Sequence, residues 1–166
     1  MDLRNISTRV ALCGVGVLLV AGCGGGAATG SPSATATSAA SASGGATNVA
    51  VSLAEWSVGT SVATAKAGPV TFAVTNNGPD EVHEFVVIKT DLSMLALPTE
   101  TTGAVNEEDS GIEAQGEIED VAVGATEELT LTLAPGAYVL ICNIYDDTAK
   151  QSHYQMGMRN QLTVTP

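Results

Sequence analysis

From Asn48 onward the chain is a succession of short β-branched and aliphatic runs, each closed by turn-forming residues, and this restricts it to an all-β architecture. The spacing predicts strands at Asn48–Glu55, Pro69–Thr75, Val82–Lys89, Gly116–Val121, Glu127–Leu133, Tyr138–Cys142 and Gln161–Thr165, with Val62–Ala65 as a weaker eighth. Leu129, Leu131 and Leu133 alternate with threonines, the period of a strand with one face on a core. Asn76-Asn77-Gly78-Pro79, Ala67-Gly68-Pro69 and Pro135-Gly136 mark turns, and only Asp91–Leu97, ended by Pro98, reads as a helical turn. Strands of this length and spacing predict a Greek-key β-sandwich of seven to eight strands. No internal repeat points to a propeller or solenoid.

What precedes Asn48 has a different composition. Arg4 and Arg9 stand before an uncharged run from Val10 to Gly22, too short to span a bilayer but suited to the apolar core of a signal peptide. That run ends in Leu19-Val20-Ala21-Gly22-Cys23, which resembles the bacterial lipoprotein signal, whose cysteine is lipidated and becomes the new N-terminus. From Gly24 to Thr47 the chain is almost wholly Gly, Ala, Ser, Thr and Pro, with too little apolar surface to offset the entropy of ordering it. The expected organisation is a signal peptide over 1–22, a lipidated Cys23 and flexible tether over 23–47, and a domain over 48–166. The expected location is the extracytoplasmic face of a bacterial membrane. Of Cys13, Cys23 and Cys142, only Cys142 then remains as a thiol, so no internal disulfide can form.

The formal net charge of −12 argues against nucleic acid as a partner, because no basic patch is available to neutralise phosphates. Glu107, Glu108, Asp109, Glu113, Glu117, Glu119 and Asp120 concentrate the acidity in one stretch. Such a stretch can steer a basic redox protein, although a solvated acidic loop is the plainer reading, and the spacing of a calcium loop is absent.

Four residues carry a definite chemistry: His83, Cys142, His153 and Met158. A thiolate, two imidazoles and a thioether are the donor set that selects copper in a trigonal His2Cys site with a weak axial methionine. Taken singly, each has a structural explanation: burial for Cys142, a strand-end hydrogen bond for His83, a solvated loop for His153. The chain has only two histidines, however, and both fall in this set. If Tyr138–Cys142 and Gln161–Thr165 are neighbouring strands, Cys142, His153 and Met158 lie on the one connection between them, and the strand leaving the Asn76–Pro79 turn can bring His83 to the same end.

The segment Pro79-Asp80-Glu81-Val82-His83-Glu84-Phe85-Val86-Val87 resembles the first-histidine strand of the cupredoxins, the blue copper proteins. Gly136-Ala137-Tyr138-Val139-Leu140-Ile141-Cys142-Asn143, then His153-Tyr154-Gln155-Met156-Gly157-Met158, resembles their ligand loop. The resemblance implies one mononuclear copper held by His83, Cys142, His153 and Met158, outer-sphere transfer of single electrons to a redox protein, and no enzymatic activity. Gly157 before Met158 matches the family's Gly-Met step and favours Met158 over Met156 as the axial sulfur. His153, on the connecting loop, is the expected solvent-edge route for the electron. Two departures stand out. The connection from Asn143 to Ser152 is longer than the family's, so Tyr145–Gln151 reads as an insertion, mobile or partner-binding, and it favours a copper chaperone or store as the alternative function. Glu84 replaces an asparagine that braces the copper-bound sulfur in several members. A metal-free β-sandwich binding module is the remaining reading, against which the complete ligand set speaks. Two histidines are too few for a multicopper oxidase, and no nucleophile-elbow motif is present.

Overall fold

The computed structural model describes residues 45–166. The signal segment, Cys23 and the tether as far as residue 44 lie outside the described residues. Two sheets form the sandwich. The first has the order β2-β1-β4-β7, from β1 (Thr47–Ala54), β2 (Ser57–Thr60), β4 (Gly68–Asn76) and β7 (Thr126–Leu133). The second has the order β3-β11-β8-β5-β6, from β3 (Thr64–Lys66), β5 (His83–Lys89), β6 (Glu113–Val121), β8 (Gly136–Ile141) and β11 (Arg159–Thr165). The chain passes between the sheets from β2 to β3, β3 to β4, β4 to β5, β6 to β7 and β7 to β8, so the predicted sandwich is present. β1 and β4 pair in parallel, as do β3 and β11, while the other pairs are antiparallel.

Period-two patterning sets the core. Val49, Val51 and Leu53 of β1 and Val70, Phe72 and Val74 of β4 face Phe85 and Val87 of β5, Tyr138 and Leu140 of β8, and Leu162 and Val164 of β11. On β7 the leucine alternation points inward as expected, but only Leu133 is fully buried, because this strand lies at a sheet edge. Strands β5 and β8 are buried on both faces. Val86, Ile88, Val139 and Ile141 form a second cluster with Leu97, Val105 and Tyr154, since the segment 90–112 folds across the outer face of the five-stranded sheet. Asp91–Leu97 is not a helix there but a bend and a single turn, closed by the Ala96 N–H on the Ser93 carbonyl at 2.9 Å.

Strand β2 escapes the sequence pattern, because Ser57-Val58-Gly59-Thr60 offers one buried apolar residue and a glycine. Within the expected insertion, β9 (Tyr145–Asp146) and β10 (Gln151–Ser152) pair as a small antiparallel ribbon, followed by the short helix α1 (His153–Met156). The insertion is therefore ordered: Asp146 Oδ1 accepts the N–H of Thr148 at 2.6 Å and of Ala149 at 3.1 Å, tightening the hairpin tip. Among the described residues no helix is long and apolar enough to cross a membrane.

Candidate metal centre

Cys142 follows the last residue of β8 and continues the inward face set by Tyr138 and Leu140. It opposes the residue before β11, since the β8–β11 register pairs Ile141 with Arg159. The Cys142 N–H accordingly donates to the Met158 carbonyl at 3.1 Å, and the Met158 N–H donates to the His153 carbonyl at 3.0 Å. On the other side β5 brings in His83, on the same inward face as Phe85 and Val87. The turn that delivers His83 is stitched by the buried Asn76, whose Nδ2 donates to the carbonyls of Glu81 (2.8 Å) and Val121 (2.9 Å) while its Oδ1 accepts the Gly78 N–H.

The ribbon explains how a long connection returns His153 to the same place. Pairing of Tyr145 with Ser152 lets the His153 N–H donate to the Ile144 carbonyl at 2.9 Å, so the added residues loop out and the chain rejoins close to where it left. Ser152 caps α1 through Gln155 N–H and ties the ribbon to the covering segment through the Gly103 carbonyl at 2.8 Å. Asn143 clasps that segment too, accepting the Val105 N–H at 2.6 Å and donating to Glu107 at 2.8 Å. Gly157, at a φ of 128°, turns the chain from α1 to Met158, and a Cβ there would stand 3.0 Å from the Trp56 carbonyl.

Three donor atoms converge at this end of the sandwich. His83 Nδ1 and His153 Nδ1 are 3.3 Å apart, and Cys142 Sγ lies 3.9 Å from the first and 3.4 Å from the second. Nitrogen donors about 2.0 Å and a thiolate about 2.3 Å from a first-row divalent ion, spread as in trigonal to tetrahedral sites, stand roughly 3.3–3.5 Å (N–N) and roughly 3.5–3.7 Å (N–S) from one another, so the observed spacings agree to within about 0.2 Å. The donor triangle therefore fits one such ion, and these three residues form the only such group of His, Cys and acidic side chains among the described residues. Met158 is fully buried in the same cluster as Cys142, whereas Met156 is 41% exposed.

The two imidazoles are poised to bind metal, whereas the thiol must first lose its proton. Burial, with the neighbouring His153, lowers the His83 pKa against the opposing pull of Glu55. Burial likewise lowers that of His153, against Glu81, Asp146 and Glu55, so both rings are neutral with a lone pair to give. Burial pushes the Cys142 thiol up to about 11, although the N–H groups of Glu84 and Ile144 favour its thiolate. The Glu84 N–H reaches Sγ at 3.3 Å. Support for the sulfur at this position thus comes from the backbone, and replacing asparagine by Glu84 does not remove it.

His153 does not form a solvent edge. It is 1% exposed, because the half-buried indole of Trp56 stands edge-on to it at 5.0 Å and α1 turns its ring inward. Glu55, beside Trp56, approaches the other histidine: its Oε1 lies 3.7 Å from His83 Nε2. Neither residue was marked by the sequence, where Glu55 is only the end of a predicted strand and Trp56 follows it.

No protein-family profile and no curated protein matches the chain. Among solved structures, the sandwich superimposes on dithionite-reduced auracyanin from the photosynthetic bacterium Roseiflexus castenholzii with a TM-score of 0.52 and 22% identity, covering 74% of this chain and 100% of that one. It also superimposes on auracyanin A, described as a "blue" copper protein, from the green thermophilic photosynthetic bacterium Chloroflexus aurantiacus, with a TM-score of 0.50 and 19% identity over 73% of this chain and 100% of that one. The chain has the cupredoxin fold. In this cupredoxin sandwich the donors come from the start of β5, the residue after β8 and the α1 connection, all at one end of the sandwich.

Proposed function

We propose that the domain holds one copper ion through His83 Nδ1, Cys142 Sγ and His153 Nδ1, with the Met158 thioether as a weak axial donor, and carries single electrons between redox proteins. The observation that carries this reading is the buried triangle of two neutral imidazole nitrogens and a cysteine sulfur, with Met158 packed beside it. Copper, when bound, supplies the one-electron couple. The chain supplies everything that keeps its surroundings constant. Cys142 gives up its thiol proton on loading, and the N–H groups of Glu84 and Ile144 stabilise the resulting thiolate. The hydrogen bonds joining Cys142, Met158 and His153 along the backbone hold the donors against rearrangement as charge changes. Trp56 excludes water from His153.

A copper chaperone or store would use the same donors but needs them to open. The reason to favour it was the long Cys142–His153 connection. Its closure by the β9–β10 ribbon and the bond from His153 to Ile144 supports a carrier instead. Voltammetry of the copper-loaded chain separates the two: reversible one-electron waves with slow metal exchange support a carrier, and rapid surrender of copper to a competing chelator with no reversible wave would overturn it.

The reading extends to location. The Leu19–Cys23 motif supports an exported, lipid-anchored protein whose tether gives the domain reach toward a partner. Mass spectrometry of the native N-terminus should find acylated Cys23, and Cys23→Ala should release the protein; cleavage elsewhere with an unmodified Cys23 would defeat the assignment and leave the copper reading intact.

A further inference from the structure

Two buried side-chain atoms are without a hydrogen-bond partner among the described residues, Glu55 Oε2 and His83 Nε2. They belong to neighbouring groups, for Glu55 Oε1 lies 3.7 Å from His83 Nε2, with the Glu55 side chain 12% exposed and His83 wholly buried. The carboxylate is held in place. Its Oε1 accepts the N–H of Glu81 at 2.7 Å and of Asp80 at 3.3 Å, and a Cβ on Gly78 would come within 2.7 Å of both its oxygens, so glycine alone leaves room for it under the turn.

Securing the 78–81 turn would account for Oε1 but not for the buried Oε2, nor for the histidine nitrogen left without an acceptor. We infer that Glu55 is a positioning residue for the metal centre: its carboxylate faces Nε2 of His83 and favours the tautomer with the proton on Nε2, which leaves Nδ1 free to bind metal. This rests on the copper reading above. A ligating imidazole whose other nitrogen faces a carboxylate is held in orientation and made a stronger donor, and loss of such a partner typically weakens metal binding by about 10–100-fold. The carboxylate also places a negative charge next to the ligand, which favours the more highly charged oxidised metal and so lowers the reduction potential.

Nitrogen-15 NMR of the metal-free chain reads the tautomer without any metal. The wild type should carry its His83 proton on Nε2. Glu55→Ala should populate the Nδ1–H form and bind copper about 10–100-fold more weakly. Glu55→Gln keeps an acceptor oxygen and should keep the tautomer, but its copper form should have a higher potential because the charge is gone. A wild type protonated on Nδ1, or Glu55 variants that lose thermal stability while tautomer, affinity and potential stay unchanged, would overturn the inference and leave Glu55 as a turn-securing residue. Failure of the wild type to bind copper would count against the proposed function; the tautomer would still decide the role of Glu55.

Discussion

The indole of Trp56 stands edge-on to the imidazole of His153, with ring centroids 5.0 Å apart and planes at 67°, and it closes the side of the metal centre from which His153 would otherwise meet water. Trp56→Ala removes that cover. It should cost about 1–3 kcal/mol in urea unfolding, less than truncation of a fully buried aromatic, and should speed the loss of bound metal to an external chelator. Unchanged chelator kinetics would mean that Trp56 packs without gating access.

The β9–β10 ribbon loops the added residues away from the donors. Replacing Asp147–Lys150 by Asn-Gly, the two-residue turn suited to the Asp146–Gln151 pair, should leave the copper spectrum unaltered and change stability by only about 0.5–1 kcal/mol. A shifted spectrum would show that the hairpin tip helps shape the metal site.

Met158 is buried beside Cys142 and hydrogen-bonded through its backbone to both Cys142 and His153, while Met156 is exposed at the end of α1. Met158→Gln should therefore shift the reduction potential and perturb the optical spectrum, and Met156→Leu should change both only slightly. The reverse pattern would transfer the axial role to Met156.

Sequence patterning carried the sandwich because its inward residues alternate, as in Val49, Val51 and Leu53 or in Tyr138, Leu140 and Cys142. The donors were legible from their residue types and from the resemblance, and the strand patterning agrees with where they lie: Cys142 is the next inward position of its strand, and His83 shares a face with Phe85 and Val87. Features set by tertiary packing were not legible. Val58 alone cannot announce β2, and nothing local places Trp56 over His153 or Glu55 beside His83, since each contact joins segments distant in the chain. The insertion read as mobile or partner-binding because it is longer than the connection the resemblance implies. Its order comes from the ribbon pairing and from bonds to the covering segment, such as Ser152 to Gly103, that no local signal reports.

Glu84 should make stability depend on pH. Burial, followed by Glu107 and Glu117, and lastly Glu119, raises its carboxyl from 4.5 to about 7 against the opposing N–H of Asn143. A raised carboxyl pKa means that the folded state holds the proton more tightly than the unfolded one. The associated stability is fully present below about pH 4.5 and is lost as the pH rises through about 7. Between those values the unfolding free energy of the metal-free wild type should fall relative to Glu84→Gln by about 1–3 kcal/mol, after allowance for partial solvent screening. Parallel pH profiles for the two proteins would show that Glu84 is not the group responsible.

The central claim, that His83, Cys142 and His153 hold copper with cysteine as a directly bonded thiolate, is tested most directly by adding Cu(II) to the metal-free chain and recording its visible spectrum. Saturation at a single equivalent, with an intense thiolate-to-copper absorption that disappears in Cys142→Ser, is the predicted result. A colourless, weakly held complex, or a coloured one that survives Cys142→Ser unchanged, would contradict it.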